Sequence, residues 1–196
     1  MNKVELVYRE LLFQALEKNN FLLTQKELSS LLGMSLSTVN LALKPLRRMN
    51  AIKVNPMNLK ITNPKKILLY WASVRNLAKD VVYQTRVDIS ISEIEKNIPA
   101  NCLFGAYSAY KFSFKEVPAD YSEVYVYADS LDEIKKRFPS KSGQPNLFVI
   151  LKDAAMERYG KITSLAQTFV DIWNLGEWYS SDFIKALELR INGILE

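Results

Sequence analysis

The 196-residue chain has no histidine and a single cysteine, Cys102. Without an imidazole there is no Ser-His-Asp triad and no histidine general base, and one thiol supplies neither an intrachain disulfide nor a zinc site of the Cys/His kind. Any catalysis would run on carboxylates, lysines or bound magnesium. Leu103 and Phe104 beside the thiol mark it as an ordinary buried cysteine. No apolar run approaches the ~18 to 20 residues that span a bilayer, and the start MNKVELVYRE reads as a charged amphipathic helix rather than an export signal. A cytoplasmic protein with no membrane partner is expected. No repeat or low-complexity stretch is visible. What is present is 48% hydrophobic and 11% aromatic content, enough to bury a real core, in a length that permits one or two domains.

The net charge of +5 is unevenly spread. Residues 1–90 hold 14 Lys and Arg against 6 Asp and Glu, whereas residues 91–196 hold 12 against 15. A basic front half fits attraction to phosphates, and a slightly acidic rear half fits a different task.

Within the basic half, residues 24–61 carry the most specific pattern. Thr24 can cap a helix while Glu27, three residues on, closes a capping box. Leu28, Leu31 and Leu32 recur at helical spacing and stop at Gly33, the residue best able to take a left-handed turn. Ser35 offers a second cap, and Val39, Leu43 and Leu46 mark the buried stripe of a second helix ending near Met49. Two helices joined by a short glycine-containing turn match the DNA-binding helix-turn-helix. Ser35, Leu36, Ser37, Thr38, Asn40, Leu41 and Lys44 are expected to face DNA, with Arg47 and Arg48 at the far end. Hydroxyl and amide side chains suit base edges, and cations suit phosphates. Pro45 removes one intrahelical hydrogen bond, so a bend is expected there. Ala51 to Val54 and Leu59 to Ile61 form β-prone runs around Asn55-Pro56-Met57-Asn58, a hairpin that would be the wing. Lys53, Asn55, Asn58 and Lys60 complete the candidate DNA-binding set.

Residues 3–18 read as a long scaffold helix with Val4, Val7, Tyr8, Leu11, Leu12, Ala15 and Leu16 on one face. Asn63 and Pro64 start a connecting helix that the apolar spacing carries to about Lys79. Its role as a dimerisation element or as a spacer packed on both halves stays open. Beyond it, extended runs at 81–83, 102–104, 122–127 and 147–151 alternate with helices near 90–98, 131–138 and two at the end, with overlapping capping boxes at Ser90 and Ser92. Strands alternating with helices imply a mixed sheet with helices packed on it. The expected fold class is α+β: a winged helix-turn-helix at 1–62, a connecting helix at 63–80 and an α/β domain at 81–196.

The order of this winged motif and the segments KKILLYWASVRNL, FGAYSAY, SEVYVYAD, KRFP, NLFVILKD and QTFVDIWNLGEWYSSDFIKAL resembles the antitoxins of type IV toxin-antitoxin systems, the AbiEi-like family. The last segment is the most specific, and the resemblance covers most of the chain. It implies a C-terminal domain similar to a degenerate nucleotidyltransferase fold, repression of the protein's own operon, and a cognate nucleotidyltransferase-like toxin as partner. The alternatives are a solitary winged-helix regulator whose second domain binds a ligand or partner, and a residual nucleotidyltransferase.

The residues speak against the enzyme. A working nucleotidyltransferase needs a glycine-serine turn after its first strand and paired acids at i and i+2 on the next to hold Mg²⁺. Here the turn is Gly105-Ala106, and the acids are Asp120, Glu123 and Asp129, none two apart. Residues three apart on a strand point to opposite faces. No catalytic residue, metal or cofactor is expected, and the partners expected are double-stranded DNA and a second copy of the chain. Tyr107, Tyr110, Phe112 and Phe114 are read as packing residues, as are Trp173, Trp178 and Tyr179, and Lys135-Lys136-Arg137 as a solvated face.

Overall fold

The computed structural model describes residues 1–196. Its first helix, α1 (Lys3–Glu17), starts where the Oδ1 of Asn2 accepts the backbone N–H groups of Val4 and Glu5, both at 3.0 Å. A two-residue strand β1 (Leu22–Leu23) follows, then α2 (Gln25–Leu32) and α3 (Leu36–Arg48). The boundaries of α2 and α3 are set locally. Thr24 and Glu27 form the reciprocal capping box, Gly33 closes α2 at φ 57°, and the Oγ of Ser35 accepts the N–H of Thr38 at 3.2 Å. α3 stays α-helical through Pro45 and extends to Arg48.

The hairpin strands β2 (Ile52–Val54) and β3 (Leu59–Ile61) pair antiparallel, and β1 adds to the far side of β3, giving the order β1-β3-β2. The third strand escapes sequence reading because two residues show no periodicity. Asn63 and Pro64 then open α4 (Pro64–Val74) as expected, with Asn63 Oδ1 accepting the Lys66 N–H at 3.0 Å. The helix ends at Val74, not near Lys79. Arg75 turns to extended geometry, and a short 3₁₀ turn (Leu77–Asp80) capped by Asn76 takes over.

The rear half contains β4 (Val81–Thr85), α5 (Ile91–Asn97), β5 (Leu103–Gly105), α6 (Ala106–Phe114), β6 (Val124–Ala128), α7 (Asp132–Arg137), β7 (Leu147–Leu151), α8 (Leu165–Trp173) and α9 (Ser180–Leu195). The sheet runs β4-β7-β6-β5, with β6 and β7 parallel and both outer pairs antiparallel. Neither of the two overlapping capping boxes closes: Ser90 caps α5 by accepting the Glu93 N–H at 3.3 Å while the Glu93 carboxylate pairs with Lys96, and Ser92 lies inside the helix with the carboxylate of Glu95 drawn inward to Ser108 (2.8 Å) and Lys111 (2.6 Å) on α6.

β6 starts at Val124 rather than Ser122, and all five of its residues are buried. Its alternation separates two cores instead of core from water. Val124, Val126 and Ala128 pack with Ile94, Ile134 and Phe138 of the flanking helices, while Tyr125 and Tyr127 face the cluster that includes α6, α8 and α9. That second cluster is continuous: 38 buried residues run from α1 through α3 and the wing to α9. Tyr107, Tyr110 and Tyr179 lie in it, as packing arguments anticipate. Trp173 and Trp178 do not: Trp173 is 45% exposed, with one face stacked on Phe169, and Trp178 is 76% exposed, because only Tyr179 of the last pair turns inward at the start of α9.

Polar residues of α1 join the two halves. Glu5 accepts from the Trp71 indole (3.1 Å) and from Arg75 (3.2 Å), and Arg75 also reaches Asp171 (3.4 Å) and Asp80. Tyr127 donates to the other oxygen of Asp171 at 2.6 Å. Desolvation alone would lower the pKa of Arg75, but Asp171, Tyr127 and Glu5 reverse the sign and hold it charged. One turn along α1, the fully buried Arg9 grips Asp153 with two bonds of 2.6 and 2.8 Å. Removing one member of such a network strands the others in low dielectric. Arg75→Ala is therefore expected to cost about 3–5 kcal/mol in a denaturant titration, whereas Arg48→Ala, on the open face of α3, should stay within about 0.5 kcal/mol.

Candidate nucleic-acid interface

α3 lies on its own hydrophobic stripe, with Val39, Ala42, Leu43 and Leu46 buried against α1 and α2. The helical period then sends Ser37, Asn40, Leu41, Lys44 and Arg48 outward, and all five are exposed. Ser35 and Leu36 are exposed at the start of the helix, while Thr38 and Arg47 are half-buried at the edges of the face. Leu41 is 55% exposed in the middle of the polar stripe, where an apolar contact with a thymine methyl group is available to it. The Oγ atoms of Ser35, Ser37 and Thr38 form a chain with 2.9 Å links, so the start of the helix presents ordered hydroxyls. Arg47 reaches back two turns and donates to the Oδ1 of Asn40 at 2.7 Å.

The wing is held at its tip by the Asn55 N–H on the Asn58 carbonyl (2.8 Å) and by the Asn55 side-chain amide on the Asn58 Oδ1 (2.9 Å). Lys53 and Lys60 are direct cross-strand partners, both exposed. Like charges facing each other across an antiparallel pair repel, and an anion placed between them relieves that repulsion. The two wing lysines thus share one sheet face, and Asn55 and Asn58 form the turn beside them.

Two features went unread in the sequence. A cleft of about 310 Å³ lies between the wing tip and the start of α2, lined by Thr24, Gln25, Lys26 and residues 55–58, which brings exposed Lys26 and the 86% exposed Met57 to the same surface. The second is an absence: residues 28–79, which hold α3 and the wing, contain nine Lys and Arg and no Asp or Glu. Not every cation in that run is free. Lys66 donates to the Met49 carbonyl at 2.9 Å and so closes the end of α3, and Arg75 belongs to the buried network.

The acids of the rear half do not assemble a comparable site. Asp120 and Glu123 precede β6, whereas Asp129 follows its other end and pairs with Lys152 at 3.0 Å. Two residues after Glu123 stands Tyr125, whose hydroxyl donates to the Glu123 carboxylate at 3.1 Å. Burial pushes the Glu123 carboxyl up to about 7; the Tyr125 hydrogen bond opposes this and the Glu177 carboxylate adds to it. No cluster of three acidic or cysteine side chains is placed to hold a metal ion. β5 passes directly into α6 through Gly105, where a Cβ would come within 2.9 Å of the Tyr127 ring, and Ala106, held at φ 46°.

Residues 6–69 match the family model of the Crp-like helix-turn-helix domain. The matched segment takes in nearly all of α1, the two motif helices, the wing and the first turns of α4, and it supports a DNA-binding, helix-turn-helix role for this part of the chain. Residues 70–196 lie outside the match. No curated protein and no solved structure matches the chain. No helix is long and apolar enough to cross a membrane.

Two measurements test this surface and the buried Glu123 carboxylate. Lys44→Ala and Arg48→Ala should each flatten the dependence of log binding constant on log salt by roughly 0.9 per lost phosphate contact; unchanged slopes in both would remove those cations from the interface. Glu123 has a folded pKa above its ordinary value of 4.5, so its protonation favours the folded state at low pH, and that contribution is lost as pH rises through about 7. Glu123→Gln should accordingly flatten the fall in denaturant midpoint between pH 5 and 8.

Proposed function

We propose that the protein is a sequence-specific transcriptional regulator that binds double-stranded DNA as a homodimer, and that it serves as the autorepressing antitoxin of a type IV toxin-antitoxin system. The observation that carries the DNA-binding part is the exposed stripe from Ser37 to Arg48, set beside the Lys53–Lys60 face in a segment without acidic residues. α3 would enter the major groove, with Thr38 and Asn40 at base edges and Lys44 and Arg48 at phosphates, while the wing reaches the neighbouring backbone. One such module buries little surface, so two half-sites about one helical turn apart, ~34 Å, are expected.

In this reading residues 1–62 contact DNA, 63–80 connect, and 81–196 form the nucleotidyltransferase-like part that meets a cognate toxin. Support for the second half comes from the strand-glycine-helix-strand order of β5, Gly105, α6 and β6, combined with Tyr125 standing two residues after Glu123 where a metal-binding carboxylate would be needed. A buried, tyrosine-bonded glutamate is a poor magnesium ligand. The domain therefore acts as a binding scaffold without catalysis, in the cytoplasm where its operator lies.

Footprinting of the full-length protein on the DNA upstream of its own gene should show two protected half-sites, and co-expression should relieve the toxicity of an adjacent nucleotidyltransferase-like gene product. Protection without relief would leave a solitary regulator. Absence of any protected site would remove the regulator reading altogether. Calorimetry with nucleotide and magnesium should show no heat; a saturable signal would restore the residual-enzyme alternative.

A further inference from the structure

We infer that Arg47 selects bases through Asn40, acting as a positioning residue for the reader rather than as one more phosphate contact, and that the pair favours guanine or thymine over adenine. The inference rests on the reading that α3 enters the major groove. An arginine side chain carries only donors, so the Asn40 atom it meets at 2.7 Å is necessarily the carbonyl oxygen. The bond is charge-assisted and runs along the exposed face, since seven residues are two helical turns. An unrestrained asparagine reads adenine bidentately, accepting from N6 and donating to N7. Here Arg47 takes one lone pair of the accepting oxygen and holds that atom toward the C-terminal end of α3, which leaves the Asn40 amide group as the end free to face the bases.

Arg47 has no acceptor to offer in place of the one it holds, so the fixed Asn40 presents its amide donors to the groove. Guanine offers O6 and N7 as acceptors and thymine offers O4, whereas adenine places an N6 donor against them. The two arginines at the end of α3 differ accordingly: Arg47 is half-buried and tied to Asn40, while Arg48 is exposed and makes no side-chain bond. An exposed pair of this kind contributes little to folding, so its loss changes recognition and leaves the fold intact.

The test uses the full-length protein with a randomised duplex pool, followed by anisotropy titrations of the selected site and its single-base variants at fixed salt. Asn40→Ala and Arg47→Ala are each expected to relax preference at the same base pair by about tenfold, a typical value for one good base contact, with the double variant no worse than either single. Arg48→Ala should weaken all sequences alike. Selection of adenine opposite Asn40 by the unaltered protein would overturn the inference. So would an Arg47→Ala variant that weakens all sequences equally and behaves in salt like Arg48→Ala. If the unaltered protein selects no sequence, the regulator reading falls with it, which separates the two failures.

Discussion

The structure depends on the burial of charged side chains of α1 between the winged motif and the sheet. Glu5 and Arg9 sit on a helix whose opposite stripe, Val7 and Leu11 among others, belongs to the hydrophobic core. On their own side they meet Arg75, Gln167 and Asp153 from the rest of the chain, and Arg75 extends the network to Asp171. Each of these groups would carry a large desolvation penalty alone, and each is acceptable only with its partners in place. The geometry of the seam is therefore selective: a shifted α1 would leave several charges unpaired at once. Within it the Nε of Arg9 and the Nε2 of Gln167 have no partner in the chain, so even this seam is not fully satisfied.

That seam determines how the DNA-facing side is presented. α1 and α2 hold α3 from behind, so its hydrophobic stripe is consumed by the core and its polar stripe has nowhere to point but outward. The charge distribution follows the same division. Acidic side chains of the front half are spent in the seam (Glu5, Glu10), at its edge (Glu17, which accepts from the Leu165 N–H at 2.8 Å) and in the α2 cap (Glu27), leaving the segment from Leu28 to Lys79 with cations alone. A surface of one sign beside a hairpin with paired lysines favours phosphate, and its attraction extends about 10 Å at moderate salt.

The rear half uses alternation differently. In β6 the valines and the tyrosines face two separate cores, so the strand is buried on both sides and contributes no solvent-facing acid pair. Glu123 enters the protein under Tyr125, which stacks on Phe148 with ring centroids 4.6 Å apart. This packing, more than the spacing of acids along the chain, decides where the Glu123 carboxylate lies.

Local chemistry was legible from residues alone. The Thr24–Glu27 box, Gly33, Ser35, Asn63-Pro64 and the Asn55 to Asn58 turn act within four residues of themselves, so helix-turn-helix, wing and most strands could be read before any contact was known. Several features could not be read this way. The end of α4 at Val74, the single working cap at Ser90, the strand β1, the exposure of Trp178 and the Arg47–Asn40 bond all depend on groups distant in the chain or on side-chain conformation. The sequence by itself determined where helices begin and which stripe of α3 is polar, because those follow from neighbours three and four residues apart. Only the tertiary structure decided which charges are buried in pairs and which stay free for a ligand, because pairing is a matter of separation in space, and residues such as Glu5 and Arg75 are brought together only when the chain closes.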